Sequence, residues 1–269
     1  MKLIHVHSLI AASIICRDLI FAKSTLKTES HDPGWEGQNP CVVLISPPIM
    51  SQDFGYSGTQ NAGKTMGEAG GRITRTTKPA YYAEEIEART LKDRVIFSGS
   101  FAIQASQPGA GVFFGWFTPK QAGSSGRPIG SLGLHLDFES NGGLLAIRLL
   151  TNESQGCGTV VTKYEQYRTS ELKKAIGPTP LKDEGTRFRW TLSYDPQANG
   201  VSGAFDIELT SEKGPSNDFD GKIFSVNHPA GYKQQDTTFD RFGVMNLTKA
   251  IGKRVRIDFD DLTYTQRTW

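Results

Sequence analysis

Thr186-Arg187-Phe188-Arg189-Trp190-Thr191-Leu192-Ser193-Tyr194 places an apolar side chain at every second position, at Phe188, Trp190, Leu192 and Tyr194. A period of two is that of a pleated strand, whose successive side chains leave on opposite faces, so one face is offered to a core and the other to water. Asp195-Pro196-Gln197-Ala198-Asn199-Gly200 follows with turn chemistry and sends the chain back through Gly203 to Thr210. Working outward, the same alternation marks Gly71–Thr76, Arg94–Gln104 and Leu132–Phe138, and Phe239–Leu247 and Arg254–Thr265 supply two more strands, Val255, Ile257 and Phe259 sharing a face in the second. Gly111-Val112-Phe113-Phe114-Gly115-Trp116-Phe117-Thr118 is apolar on both sides and reads as a central strand. Asn141-Gly142-Gly143 reads as a hairpin turn leading into Leu144–Leu150. Helical spacing is confined to Tyr81–Leu91 and Thr169–Ile176, each a turn or two. Gln52–Gly71, dense in Gly, Ser, Thr and Asn, reads as a long ordered loop, and such loops are often functional. Strands joined by turns, without βαβ alternation or a repeat, predict an all-β chain folded as a two-sheet antiparallel β-sandwich of jelly-roll type. The expected organisation is a signal peptide over 1–22, an N-terminal strap or linker over 23–48, and one sandwich domain over 49–269.

Composition agrees with that class. The chain has 29 glycines, 10% aromatic residues and a formal charge of +2, with Lys and Arg spread along its length. Nucleic-acid binders gather their basic residues into a patch or stripe, so nucleic acid is excluded as a partner. Met1-Lys2 followed by the mostly apolar Leu3–Cys16 has the basic start and apolar core of a secretory signal, although Arg17-Asp18 interrupts it and Ile20-Phe21-Ala22 is a poor cleavage site. The expected location is secreted, periplasmic or cell-surface. No segment has the roughly 18 apolar residues of a membrane-spanning helix. With Cys16 removed by processing, Cys41 and Cys157 are either a disulfide or two unrelated thiols.

Several pieces resemble concanavalin A-like lectin/glucanase jelly rolls: the strand Gly185–Tyr194, the turn Asp195-Pro196 to Asn199-Gly200, Phe239-Asp240-Arg241-Phe242-Gly243, and the terminal Ile257–Thr265 with its paired acidic residues. Asp32-Pro33-Gly34-Trp35-Glu36-Gly37 and Gln52–Tyr56 resemble segments of uncharacterised exported bacterial proteins of that superfamily. The resemblance implies glycan binding, glycoside hydrolysis or adhesion, and a fold alone does not choose among them. It also implies a structural calcium held between the last strand and the strap, with Asp260, Asp261, Asp32 and Asp53 as ligands.

The residues narrow the choice. Glycoside hydrolysis needs two carboxyl groups flanking the scissile bond, and no Glu-X-Asp-X-(X)-Glu strand exists here. Glu85-Ile86-Glu87 and Asp258-Phe259-Asp260-Asp261 come nearest, and both read as solvated carboxylates, Asp258 and Asp260 lying opposite the apolar face. His31, His135 and His228 have no Ser and Asp partners in a recognisable order. Gly58-Thr59-Gln60-Asn61-Ala62-Gly63-Lys64-Thr65 meets the spacing of a phosphate loop but lacks the preceding strand and following helix that such a loop needs. Glycan binding uses aromatic faces, and Trp35, Tyr56, Tyr81 and Tyr82 on loop-like segments are the candidates. The expected function is therefore an exported, non-catalytic module binding a polysaccharide, glycan or another surface component, a cell-surface protein included. Two carboxylates converging in a groove would favour a glycoside hydrolase or polysaccharide lyase, and a groove without exposed aromatics a structural or adhesion module.

Overall fold

The computed structural model describes residues 23–25, 32–45, 48–107, 109–119, 126, 128, 130–138, 145–151, 187–211, 222–228, 238–249 and 251–265. Fifteen strands in chain order build it: β1 (Lys23–Thr25), β2 (Glu36–Gln38), β3 (Cys41–Ile45), β4 (Pro48–Ser57), β5 (Glu68–Thr74), β6 (Tyr81–Thr90), β7 (Val95–Ser106), β8 (Gly111–Phe117), β9 (Ser131–Phe138), β10 (Leu145–Thr151), β11 (Arg187–Asp195), β12 (Ala204–Ser211), β13 (Lys222–Asn227), β14 (Thr238–Asn246) and β15 (Arg254–Thr265). The larger sheet runs β13-β12-β11-β7-β15-β5-β4-β3, with β1 also paired to β15, and the smaller runs β10-β9-β8-β14-β6-β2. The pairings are antiparallel. This is the expected two-sheet antiparallel sandwich.

The inner faces meet in an aromatic core. Phe114 of β8 stacks on Phe259 of β15 with centroids 4.3 Å apart and planes 9° from parallel. Phe97 of β7 meets Trp116, Trp190 and Phe242 edge-on at 4.7, 4.5 and 5.7 Å. Offset stacks and edge-to-face pairs of this kind are the arrangements the ring quadrupoles favour. The alternation in β11 is realised residue by residue, with Phe188, Trp190, Leu192 and Tyr194 buried and the residues between them half-buried. Every residue of β8 is buried, as its two-faced apolar pattern required.

Three elements depart from the sequence reading. Tyr81–Leu91, with its helix-forming Ala and Glu, is a strand, because β14 on one side and β2 on the other supply its backbone partners; tertiary pairing overrides a weak local preference. Gln52–Gly71 is a β4–β5 hairpin whose connection is only residues 58–67. The strap is not separate from the sandwich: β1, β2 and β3 pair with β15, β6 and β4, so the domain takes in residues from Lys23 onward. The signal-peptide segment 1–22, Thr169–Ile176 and Cys157 lie outside the described residues. Cys41 is an exposed free thiol.

Glycine at Gly115 is a steric requirement. Gly243, Gly115 and Gly133 sit in one row across β14, β8 and β9. At φ 147° a Cβ on Gly115 would meet the Gly133 Cα at 2.7 Å, so no side chain fits between these strands.

Candidate functional site

The outer face of the larger sheet carries an open groove of about 260 Å³. Ser98 of β7, Arg189 and Thr191 of β11, Glu208 and Thr210 of β12, and Asp261 of β15 line it, with Gly99 and the buried Trp190 below. Strand register explains the grouping. Ser98, Thr191 and Glu208 stand opposite one another in one row, and Arg189 stands opposite Thr210 in the next. These are the polar positions of the alternation whose apolar partners fill the core, so the pattern that builds the sandwich also builds the groove floor. Asp261 comes from a bulge. Two residues, Asp261 and Leu262, intervene in β15 where β7 has only Gly99, and Asp261 takes φ 52°. The bulge re-aims Asp261 at the groove and returns Leu262 and Tyr264 to the core.

Beside the groove, residues 58–66 form a strap over β5 and β15. Under it lie three buried carboxyls: Glu68, Asp258 and Asp260. Glu68 accepts hydrogen bonds from the backbone N–H groups of Ala62 and Gly63 and from Thr59 Oγ1. Asn61 Nδ2 donates to Asp258 at 2.8 Å, and the Asp261 N–H donates to Asp260 Oδ1 at 2.7 Å. Asp260 Oδ2 is buried without a hydrogen-bond partner. Burial, with Glu68 nearby, pushes Asp258 up to about 6 against the opposing Asn61 hydrogen bond and Arg256. Burial also pushes Asp260 up to about 7, with Asp261 and Glu68 adding to it and the Asp261 N–H and Arg187 opposing. Arg187, two residues before the groove's Arg189, fastens the strap by donating to the Asn61 and Gln60 carbonyls at 2.6 and 3.0 Å.

Asp258 and Asp260 are thus not solvated. They do lie opposite the apolar residues, but the strap covers that face. Glu85 and Glu87 are exposed. The phosphate-loop spacing of 58–65 belongs to the strap, whose N–H groups already hold the protein's own Glu68 carboxylate, with no helix behind it.

The aromatic candidates are packed into the protein. Trp35 is 7% exposed and lies against Tyr82 and Phe242, with centroids 5.3 and 6.4 Å apart. Tyr82 donates to Asp32 at 2.7 Å, and burial first, then that hydrogen bond, raises the phenol's pKa. Tyr81 belongs to a second apolar cluster with Phe113, Phe117 and Met245, and donates to Glu36 at 3.0 Å. Tyr56 is half-buried against the main core. None of the four lines the groove. Trp35, Tyr81 and Tyr82 hold the N-terminal segment on the smaller sheet, so Tyr82→Phe is expected to cost about 1 kcal/mol by removing one buried hydrogen bond, measured as a shift in urea midpoint.

The four aspartates expected to hold calcium are likewise dispersed. Asp32 accepts from Gly34 N and the Tyr82 hydroxyl, Asp53 is exposed on β4 beside Cys41, Asp260 is under the strap and Asp261 faces the groove. Calcium takes six to eight oxygens converging on one point. Among the described residues no three His, Cys, Asp or Glu side chains do so, and these aspartates do not fit the clamp. The two histidines among the described residues are structural: His135 is buried on β9, and His228 is packed against Tyr194 and Phe205, where burial lowers it to about 4. Asn246-Leu247-Thr248 has the spacing of an N-glycosylation sequon, but Asn246 is buried and hydrogen-bonded to Ala80, Thr74, Thr76 and Lys78, so it presents no accessible side chain.

No described protein family matches the sequence, and no curated relative does. Among solved structures, a protein of unknown function from Shewanella oneidensis MR-1 is similar at 14% identity over 90% of this chain and 84% of that one, with a TM-score of 0.47. The exoplasmic/lumenal domain of VIP36 in its Ca2+/Man3GlcNAc-bound form is similar at 11% identity over 89% and 88%, TM-score 0.43. Lectin II from Ulex europaeus follows at 11% over 87% and 99%, TM-score 0.40. At 14% identity or less and with TM-scores below 0.5, none of these three likenesses assigns the chain to a family.

Proposed function

We propose that this protein is a non-catalytic carbohydrate-binding module, exported as its N-terminal sequence indicates, and that the groove on the outer face of the larger sheet is its ligand site. The carrying observation is the lining: three hydroxyls, one guanidinium and two carboxylates in a concave surface. Such groups donate to and accept from sugar hydroxyls. The volume falls just below the roughly 300 Å³ where small-molecule pockets begin, which suits one sugar unit or a chain end. The lining has no exposed aromatic, the feature expected of a structural or adhesion module, and the carbohydrate reading is preferred because the concentration of hydroxyl, guanidinium and carboxylate groups supplies recognition by hydrogen bonds instead of ring stacking. It equally lacks the apolar centre of a protein–protein interface, which favours a sugar over a protein partner. Two carboxylates against one guanidinium favour neutral or amino sugars over acidic ones.

Glu208 and Asp261 also raise the hydrolase reading. They stand on β12 and β15, separated by β11 and β7. Three inter-strand spacings put their backbones about 14 Å apart, so their side chains would have to close that span across the groove to reach the roughly 5–9.5 Å between hydrolytic carboxyl groups. Binding is the better fit.

A glycan-array screen of the protein from Lys23 to Trp269, with calcium and with chelator, tests the assignment. Arg189→Ala and Glu208→Gln, both on the sheet's outer face, are each expected to weaken a hit at least tenfold without changing the melting temperature. Folded protein with no hit would overturn carbohydrate binding, and release of reducing ends lost in Glu208→Gln and Asp261→Asn would move the assignment to hydrolysis.

A further inference from the structure

We propose that the strap of residues 58–66 is a proton-operated lid, shut over β5 and β15 while Asp258 and Asp260 carry protons and opened when both ionise. The geometry carries this. Three carboxyls, 0%, 2% and 1% exposed at Glu68, Asp258 and Asp260, share one covered space. Asp260 Oδ2 has no donor facing it, and a buried anionic oxygen without a donor costs far more than the same carboxyl in its neutral, protonated form. The three donors on Glu68 compensate that carboxylate alone.

Charges facing Asp258 and Asp260 come from several elements. β5 contributes Glu68, with Arg72 opposite Arg256 in the row beyond Asp258. β15 itself contributes Arg256 and Asp261, and β11 contributes Arg187. β7 adds only the Ser100 hydroxyl, which donates to the Asp260 carbonyl, and the strap adds the Asn61 amide, its Lys64 being exposed. Two ionised aspartates beside Glu68 therefore repel one another in a space shielded from bulk solvent, and lifting the strap relieves this by hydrating them. Burial sets both aspartates to change charge between about pH 6 and 7.

Gly63 is the seat of the closed lid. A Cβ there would overlap the Asp260 carboxylate, so only glycine lets the strap lie this close. The strap is also joined to the groove through β11, since Arg187 fastens it and Arg189 lines the groove. Opening would extend the groove toward β15; that consequence rests on the carbohydrate reading, while the lid does not.

Hydrogen exchange of the peptide spanning 57–67, corrected at each pH for the exchange rate of an unstructured chain and followed by mass spectrometry without ligand, tests the lid. Protection in the unaltered protein is expected to fall at least tenfold from pH 5 to pH 8. Asp258→Asn/Asp260→Asn should keep the pH 5 protection at pH 8, and Gly63→Ala should be unprotected at both. Equal protection at pH 5 and pH 8 in the unaltered protein would overturn the proposal, as would an undiminished fall in the double variant. If Gly63→Ala does not fold, the asparagine variant still decides. The measurement uses no sugar, so failure of the lid and failure of the groove assignment are read separately.

Discussion

Replacing Asp260 with asparagine is expected to stabilise the protein by about 2 kcal/mol at pH 8 and to leave its stability nearly unchanged at pH 4. Burial raises the folded-state pKa of Asp260 from its usual 3.8 to about 7. Between those values the folded state binds more protons than the unfolded state, so folding stability falls as pH rises and is lowest above about 7. Each pKa unit is worth about 1.4 kcal/mol. A three-unit rise therefore sets a ceiling of roughly 4 kcal/mol, which opening of the strap reduces by rehydrating the carboxylate without unfolding the sandwich. His228 acts in the opposite sense. Burial depresses it from 6.5 to about 4, so its contribution is lost as pH falls through that interval. A single stability curve mixes the two effects, whereas the difference between Asp260→Asn and the unaltered protein isolates the aspartate. Urea unfolding at pH 4, 6 and 8 measures it. A difference that does not grow with pH would show that Asp260 is not dehydrated in the folded protein.

Phe114→Ala is expected to destabilise the protein by about 4 kcal/mol at any pH between 5 and 8. Phe114 is fully buried on β8, and its ring is shared by both sheets. It stacks on Phe259 and meets Trp190 and Phe242 at 5.8 and 5.4 Å. Truncation removes these contacts and leaves a cavity bounded by rings already held by other neighbours, which limits collapse. Urea unfolding gives the value. A loss below about 1 kcal/mol would mean that the core repacks freely around the missing ring.

The period-two patterns at Phe188–Tyr194, Leu132–Phe138 and Val255–Phe259 determined the strands and which face of each is buried, because a pleat sends alternate residues to opposite sides whatever the partner strand. The run at 111–118 determined a strand buried on both faces by the same reasoning. From these alone the all-β sandwich was legible. Tyr81–Leu91 was not, since its composition suits a helix and its strand form comes from partners on β2 and β14 that lie far away in sequence. The roles of the candidate residues were decided by the tertiary structure. Trp35 and Tyr82 are aromatic residues on a loop-like segment in the sequence and members of the core in the fold, because β2 brings that segment onto the smaller sheet. Alternation placed Arg189, Thr191 and Glu208 on a polar face, but strand register is what aligns them into a groove. It likewise placed Asp258 and Asp260 opposite the apolar residues. That they are buried follows from the β4–β5 connection folding back across their face, a contact nearly two hundred residues distant along the chain. Local alternation reports which way a side chain points; only the long-range pairing of strands and loops reports what stands in front of it.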